Sequence, residues 1–426
     1  MAEPVVVASL PGVCRTILGN AGKGCMHWSR EFTLRTDATC SGCHGRQWLL
    51  KLLGAVLVTL QALSAADAVP DPAPGVASSR PRVPGNQGVH SQREIRLRQA
   101  VDRDPASFEA NYRLGEFYVQ MRKLKAGIPY LEKAHELNPA HYANGYDLAL
   151  AYFETGDLLR ARRQIQGMLV QRDNPELHNL LGDVEEKSGD PVRATQEYQL
   201  AAQREPSERN IFDWGNELLL HGAFEDAEKV LSVGIERHPN SSRLHIGLGI
   251  AFYSRGFYDD AARVLCRASD LEPLDPRPYL FLGKMFDISL SRAGEVKARL
   301  RRFVQSHPRD AMAHYYYAMS LWKGERTPKG EGDKREVEGH LKQATALDPA
   351  MVEAHLHLGN FYAEEDKLQQ AIFEYRRAIR LKPDLASAHY RLAQTYRRSG
   401  DMLRAQQELE LYGRLHARDT AEDAKK

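Results

Sequence analysis

Eight prolines recur along this chain at nearly regular intervals, and their spacing constrains the fold more than any other feature. They are Pro105, Pro139, Pro206, Pro239, Pro273, Pro308, Pro349 and Pro383. The commonest interval is 34 residues or close to it, and a small residue stands five positions before every one except Pro308. Self-similarity with such a period is typical of stacked helix pairs. The sequence therefore predicts a tandem helical array.

Residues 242–273 show how one repeat forms two helices. Leu244, Leu248 and Phe252 recur at helical spacing until Gly256 interrupts the pattern, and an apolar series then resumes. Proline has no amide donor and cannot continue a helix, so it separates one pair from the next. A single pair cannot bury its apolar face, and only stacking against neighbouring pairs hides it.

Three stretches carry the same motif: Leu-Gly, then an aromatic residue, small residues and a closing proline. They are Leu114, Gly115, Tyr118, Leu131, Ala134, Pro139; Leu248, Gly249, Phe252, Ala261, Leu265, Ala268, Pro273; and Leu358, Gly359, Tyr362, Ala371, Tyr375, Ala378, Pro383. This pattern resembles the tetratricopeptide repeat (TPR). The resemblance implies an all-α, right-handed superhelical solenoid of antiparallel helix pairs over residues 91–413, with about nine repeats after an N-terminal half repeat.

Two repeats depart from the motif. Residues 323–336 are too long for a tight turn, and their glycine, proline and charge content predicts an exposed loop. The sixth repeat places Glu295 and Arg299 where the motif has apolar residues, and a one-residue insertion would bring Val296, Leu300 and Val304 onto the packing face. We expect a local irregularity in this repeat.

The N-terminal part has a different composition. Residues 48–68 combine a basic flank, a short apolar core and Ala66-Asp67-Ala68, which is the layout of a secretory signal. We expect cleavage after Ala68, and an uncleaved membrane anchor is the alternative. Residues 1–47 then form a leader, or result from a start codon placed too far upstream. Either way, the repeats are expected outside the cytoplasm, periplasmic or secreted.

Two further segments complete the expected organisation. Residues 69–90 are rich in Pro, Gly and Ser and predict an extended linker, and residues 414–426 form a polar tail that we expect to fray.

Cys40, Cys43 and His44 form a C-x-x-C-H motif, the pattern of covalent haem attachment. Because the motif precedes the export segment, it would not reach the compartment where haem is attached, and we expect neither haem nor another cofactor.

Cys266 is the one cysteine within the repeats, and we expect an unreactive, partly buried thiol.

Five histidines occupy the same position in five different repeats. They are His178, His245, His314, His355 and His389. Equivalent positions in neighbouring repeats lie on the order of 10 Å apart, which is too far for shared ligands to one metal ion. We expect these side chains to fill packing pockets, and the sequence predicts no metal site.

Catalysis and nucleic-acid binding both lack sequence support. The chain has no phosphate-binding glycine loop, no H-E-x-x-H and no G-x-S-x-G motif, so we expect no enzyme activity. With 58 Lys and Arg against 56 Asp and Glu, the net charge of +2 is not typical of a nucleic-acid binder.

The resemblance implies that partners lie along the first helix of each pair. The front repeats place Tyr112, Glu116, Tyr146 and Asp183 on this ridge, and the middle repeats are apolar there. The predicted groove residues are Phe212, Leu219, Ile246, Ile250, Tyr253, Tyr315, Met319 and Trp322. They form either packing between adjacent first helices or an apolar peptide groove.

The favoured function is a non-catalytic extracytoplasmic scaffold or adaptor that binds a protein or peptide partner. The alternatives are an accessory subunit of a cell-envelope enzyme or assembly complex, and a c-type haem electron carrier.

Overall fold

The computed structural model describes residues 85–324 and 330–423 of the 426-residue chain. This part of the chain divides into two compact units, which contain residues 85–238 and residues 239–423. All regular secondary structure in the described ranges is helical, which confirms the predicted all-α class.

Unit 1 is a helix followed by four helix pairs. Helix α1 spans Gly85–Arg103. The pairs are α2 (Phe108–Gln120) with α3 (Leu124–Leu137), α4 (Tyr142–Glu154) with α5 (Leu158–Gln171), α6 (Pro175–Lys187) with α7 (Pro191–Arg204), and α8 (Glu208–Leu220) with α9 (Phe224–Arg237). Every first helix has 13 residues and every second helix has 14, so the four pairs are near copies of one another.

Unit 2 contains five helix pairs, of which the second is irregular. The pairs are α10 (Ser242–Ser254) with α11 (Tyr258–Leu271), α12 (Arg277–Leu282) with α13 (Ala293–Ser306), α14 (Ala311–Lys323) with α15 (Glu331–Leu347), α16 (Val352–Glu364) with α17 (Leu368–Leu381), and α18 (Ala386–Arg398) with α19 (Met402–Asp423). A 3₁₀ turn at Leu290–Arg292 leads into α13. The described residues thus hold the nine predicted pairs.

The turn inside a pair depends on a left-handed backbone conformation. Gly256 has φ of 83°, a region that residues with a side chain rarely adopt. The amide of the next residue, Phe257, then donates to the carbonyl of Phe252 at 2.9 Å and closes the helix end. The glycine that interrupts the sequence pattern is therefore the turn between the two helices, as predicted.

The helices of a pair approach each other at a glycine of the first helix. A Cβ atom added to Gly215 would lie 2.6 Å from Cδ2 of Leu231, and one added to Gly249 would lie 2.5 Å from Cγ of Leu265. Both leucines belong to the second helix of the same pair and are fully buried. The glycine at this position of the first helix therefore makes room for a large side chain of the facing helix.

The sixth repeat shows the predicted irregularity. Val296, Leu300 and Phe303 of α13 are fully buried, whereas Val304 is half-buried. The one-residue shift predicted from the sequence is thus right for the first two positions and wrong for the third. Phe303 is buried because its ring stacks on Tyr279 of the short helix α12, with ring centroids 4.6 Å apart and planes at 3°.

Three helix ends differ from the sequence prediction. Helix α1 begins at Gly85, inside the predicted linker 69–90, because no proline follows Pro84 until Pro105. Helix α15 begins at Glu331, inside the predicted loop 323–336, with the Asp333 side chain accepting from the amide of Gly330 at 3.3 Å. Helix α19 runs to Asp423, through most of the predicted tail 414–426, because helix-forming residues predominate there.

The close glycine contact predicts opposite effects for two glycine-to-alanine substitutions in unit 1. Gly215→Ala forces the buried Leu231 to move, and we expect it to lower the free energy of unfolding by about 1–2 kcal/mol. Gly167→Ala places a methyl group in open space on α5, and we expect a gain of up to about 1 kcal/mol from helix propensity. Urea unfolding measures both, and equal effects of the two substitutions would contradict the contact.

Candidate functional site

The apolar residues predicted to line a groove are mostly buried. They lie on α8 (Phe212, Leu219), on α10 (Ile246, Ile250, Tyr253) and on α14 (Tyr315, Met319, Trp322). All except Tyr253 are at most 9% exposed, and Tyr253 is half-buried. Little of their surface is thus free to contact a partner.

Two of these aromatic residues contact the first helix of the following repeat. The Trp322 ring meets Phe361 edge-on at 5.6 Å, and its Nε1 donates to Oε2 of Glu364 at 2.9 Å. Tyr315 lies 5.8 Å from the ring of His357. These contacts favour packing between adjacent first helices, which was one of the two interpretations left open. A role of the eight residues in partner binding stays a prediction.

The first helices of unit 1 carry a different kind of surface. Glu116 lies on α2, Asp147 on α4 and Asp183 on α6, and Tyr112 and Tyr146 lie beside them. We call these five residues the acidic face. Asp183 is exposed and the other four are half-buried. Solvent therefore reaches this part of the structure, in contrast to the apolar ridge.

Three members of the acidic face, Glu116, Asp147 and Tyr112, influence one another electrostatically. Burial, together with the negative charge of Glu116, raises the pKa of Asp147 to about 6. A hydrogen bond from Tyr112 and the nearby His141 act in the opposite direction but do not offset the burial. Burial, together with Asp147 and Glu116, raises the pKa of Tyr112 to about 12.

Asp183 is held in place by the packing of its own repeat. A Cβ atom on Gly182 would lie 2.8 Å from Cε1 of Tyr198, so the tyrosine ring lies flat against α6 at this point. The Tyr198 hydroxyl then donates to Oδ1 of Asp183 at 2.7 Å. Burial of the carboxylate by the surrounding protein raises the pKa of Asp183, although part of the residue is exposed.

The carboxylates of the acidic face are not neutralised by direct ion pairs in the part of the chain that the structure describes. Within the described residues, Glu116, Asp147 and Asp183 form no ion pair with a lysine or arginine. The nearby Arg209 lowers the pKa of Asp183, but its guanidinium lies 3.6 Å from the carboxylate of Asp213 on the same helix. A set of carboxylates beside tyrosine rings is suited to bind ammonium or guanidinium groups.

The five equivalent histidines are buried, as predicted, and the structure adds a role that the sequence analysis missed. Nδ1 of His355 lies 2.6 Å from Oε2 of Glu374 on the second helix, and its Nε2 lies 3.2 Å from the carbonyl oxygen of Pro349. His389 repeats this arrangement with Glu408 and Pro383. The imidazole thus links the two helices of a pair to the preceding turn. In both repeats the glutamate follows the histidine by 19 residues, and this constant spacing could have predicted the contact from the sequence.

The remaining sequence predictions concern cysteines and the N-terminal part. Cys266 is buried, and burial raises the pKa of its thiol to about 11, in agreement with an unreactive thiol. The haem-type motif at Cys40, Cys43 and His44, the leader 1–47 and the signal segment 48–68 lie outside the described residues. Among the described helices, none is long and apolar enough to cross a lipid bilayer.

Comparison with known proteins identifies the repeats. TPR models match residues 120–184, 212–286 and 359–400. The TPR repeat-containing protein YpiA of Bacillus subtilis (strain 168) is 25% identical over 232 residues, which are 54% of this chain and 43% of that protein. The chain thus spans less than half the length of this relative. Together with the nine helix pairs, these matches show that the chain is a tetratricopeptide repeat protein, a class whose fold typically serves as a scaffold for protein–protein interaction.

Solved structures with similar folds include two further tetratricopeptide repeat proteins. YrrB, described as having an unusual peptide-binding site, is 18% identical with a TM-score of 0.36, covering 43% of this chain and 95% of that one. A protein from Parabacteroides merdae is 14% identical with a TM-score of 0.37, covering 68% of this chain and 98% of that one.

The raised pKa of Asp147 predicts that Asp147→Asn stabilises the protein at neutral and alkaline pH. The folded-state pKa of about 6 lies above the ordinary value of 3.8, so ionisation of this carboxyl opposes folding. The stability difference between variant and wild type should be absent below about pH 4, grow between pH 4 and pH 6, and stay constant above. After allowance for solvent screening we expect a gain of about 1 kcal/mol at pH 8. Urea unfolding at pH 4 and pH 8 tests this, and a loss of stability at pH 8 would contradict it.

Proposed function

We propose that this chain is a non-catalytic scaffold or adaptor that binds a positively charged segment of a protein partner on the acidic face of unit 1. The observation that carries the proposal is the group of three carboxylates, accessible to solvent and without lysine or arginine partners within the described residues. A surface that serves only the fold has no reason to gather unpaired like charges, because their repulsion opposes folding.

The chemistry of the acidic face selects lysine and arginine. Ammonium and guanidinium groups form charge-assisted hydrogen bonds with carboxylates, and they stack on tyrosine rings. A bound cation would remove the repulsion between Glu116 and Asp147 and favour the ionised form of Asp147. The repulsion between these carboxylates, which destabilises the folded chain, would therefore favour binding of a cation.

We further propose that binding takes place outside the cytoplasm. The support is the signal-like sequence of residues 48–68, with its basic flank, short apolar core and small residues at the cleavage position. The partner would then be an exported protein, or the exposed part of a membrane protein.

Peptide binding to the full chain tests the proposed function. The probes are a fluorescent lysine- and arginine-rich peptide of about ten residues and a glutamate-rich peptide of the same length. The Asp147→Asn, Asp183→Asn double variant is compared with a Glu136→Gln, Glu236→Gln double variant, which removes the same net charge from exposed positions on second helices.

We expect the basic peptide to bind the wild type and the acidic peptide not to bind. The acidic-face variant should lose at least about tenfold in affinity, since each charged contact contributes roughly 1 kcal/mol or more. The control variant should stay within about twofold of the wild type, because its charges lie away from the face. Equal losses in both variants would show attraction by net charge alone and would refute a defined site.

A further inference from the structure

A second group of polar side chains, none of them among the five residues of the acidic face, lies where two helices of unit 1 end. Glu186 is in the last turn of α6, Glu217 is in the last turn of α8, and His221 is the residue that caps α8. Nε2 of His221 lies 3.1 Å from Oε2 of Glu186 and 3.3 Å from Oε1 of Glu217. One ligand atom from each residue falls within 4.8 Å of the other two. Two carboxylates and an imidazole thus converge on one point.

Glu217 is difficult to explain as a structural residue alone. Its side chain is only 2% exposed, and its Oε1 accepts no hydrogen bond within the described part of the chain, although it points toward Nε2 of His221. A buried carboxylate oxygen without a hydrogen bond is strongly disfavoured. A ligand that coordinates this oxygen would satisfy it.

The local charge favours a cation. The last carbonyl groups of a helix carry a partial negative charge, and here the ends of α6 and α8 meet next to two carboxylates. With both carboxylates ionised and the histidine protonated, the group carries a net negative charge. A divalent ion bound to two carboxylates and a neutral imidazole would instead make the group neutral.

The distances fit coordination by a small divalent ion. Metal–nitrogen and metal–oxygen bonds of about 2.1 Å in a tetrahedral site place neighbouring ligand atoms about 3.4 Å apart, close to the two separations seen here. Three protein ligands leave one position for water. The side chains of Glu186 and His221 are 30% and 39% exposed, so an ion can enter from solvent.

His178 provides a contrast within the same unit. It also lies between two carboxylates, but Glu197 contacts its Nδ1 at 2.6 Å and Asp173 contacts its Nε2 at 2.9 Å. The two carboxylates therefore lie on opposite sides of the ring and cannot share one ion with it.

From these observations we propose that Glu186, Glu217 and His221 bind a divalent transition-metal ion of the Zn²⁺ type. The ion would connect the ends of two successive first helices, α6 and α8. The sequence predicts no metal site at equivalent positions of different repeats, whereas this group combines the non-equivalent positions 186, 217 and 221.

Zn²⁺ titration of the full, reduced chain by calorimetry tests the site, with Co²⁺ absorption as a second readout. The variants are Glu186→Gln, which keeps an oxygen that can accept from His221, and His221→Ala. Glu197→Gln is the matched control, because it alters a histidine–glutamate contact that cannot hold a metal. Circular dichroism and thermal unfolding confirm that each variant is folded.

We expect the wild type to bind one equivalent of Zn²⁺ that both site variants lose or bind at least about tenfold more weakly, while Glu197→Gln binds as the wild type does. The Co²⁺ complex should show visible bands that disappear in His221→Ala. Bands typical of thiolate ligation would instead indicate the cysteines near the N-terminus. Unchanged Zn²⁺ binding in both site variants, or an equal loss in Glu197→Gln, would overturn the proposal.

Discussion

The contact between a small residue of one helix and a large side chain of the next is the interaction on which the rest of the structure depends. In unit 1, Gly215 receives Leu231 and Gly182 receives Tyr198, in each case too closely for any added side-chain atom. The same contact that joins the helices of the third pair brings the Tyr198 hydroxyl to Asp183, the residue after the glycine. Packing of the repeat and placement of the Asp183 carboxylate thus share one cause.

Most of the fold could be predicted from the sequence because the repeat itself is informative. The interval between prolines, the Leu-Gly pairs and Gly256 predicted nine helix pairs and their turns, and the one-residue shift at Val296 followed from apolar spacing alone. The predictions were wrong where a contact between residues far apart in the sequence determines which side chain is buried. Stacking on Tyr279 buries Phe303, and the spacing of apolar residues around Phe303 does not predict that contact. The polar composition of residues 414–426 predicted a frayed tail, whereas residues 414–423 are helical.

The candidate site was harder to predict than the fold. The predicted groove residues on α8, α10 and α14 are large and apolar, and this character is typical both of a binding groove and of a buried helix contact. Large residues such as Ile250 and Trp322 repeat at helical spacing whether they serve packing or binding, so their spacing does not distinguish the two roles. Unpaired charge is the better sign of function. Whether Asp147 or Asp183 has a cationic partner depends on residues far away in the sequence, and the sequence therefore left this question open.

Hydrogen–deuterium exchange of the full chain, with and without a saturating lysine- and arginine-rich peptide, tests the central claim most directly. The account predicts slower exchange in α2, α4 and α6, where Glu116, Asp147 and Asp183 lie, and little change in α10 and α14. Protection confined to α10 and α14, or no protection with a peptide shown to bind, would contradict the acidic face as the binding surface.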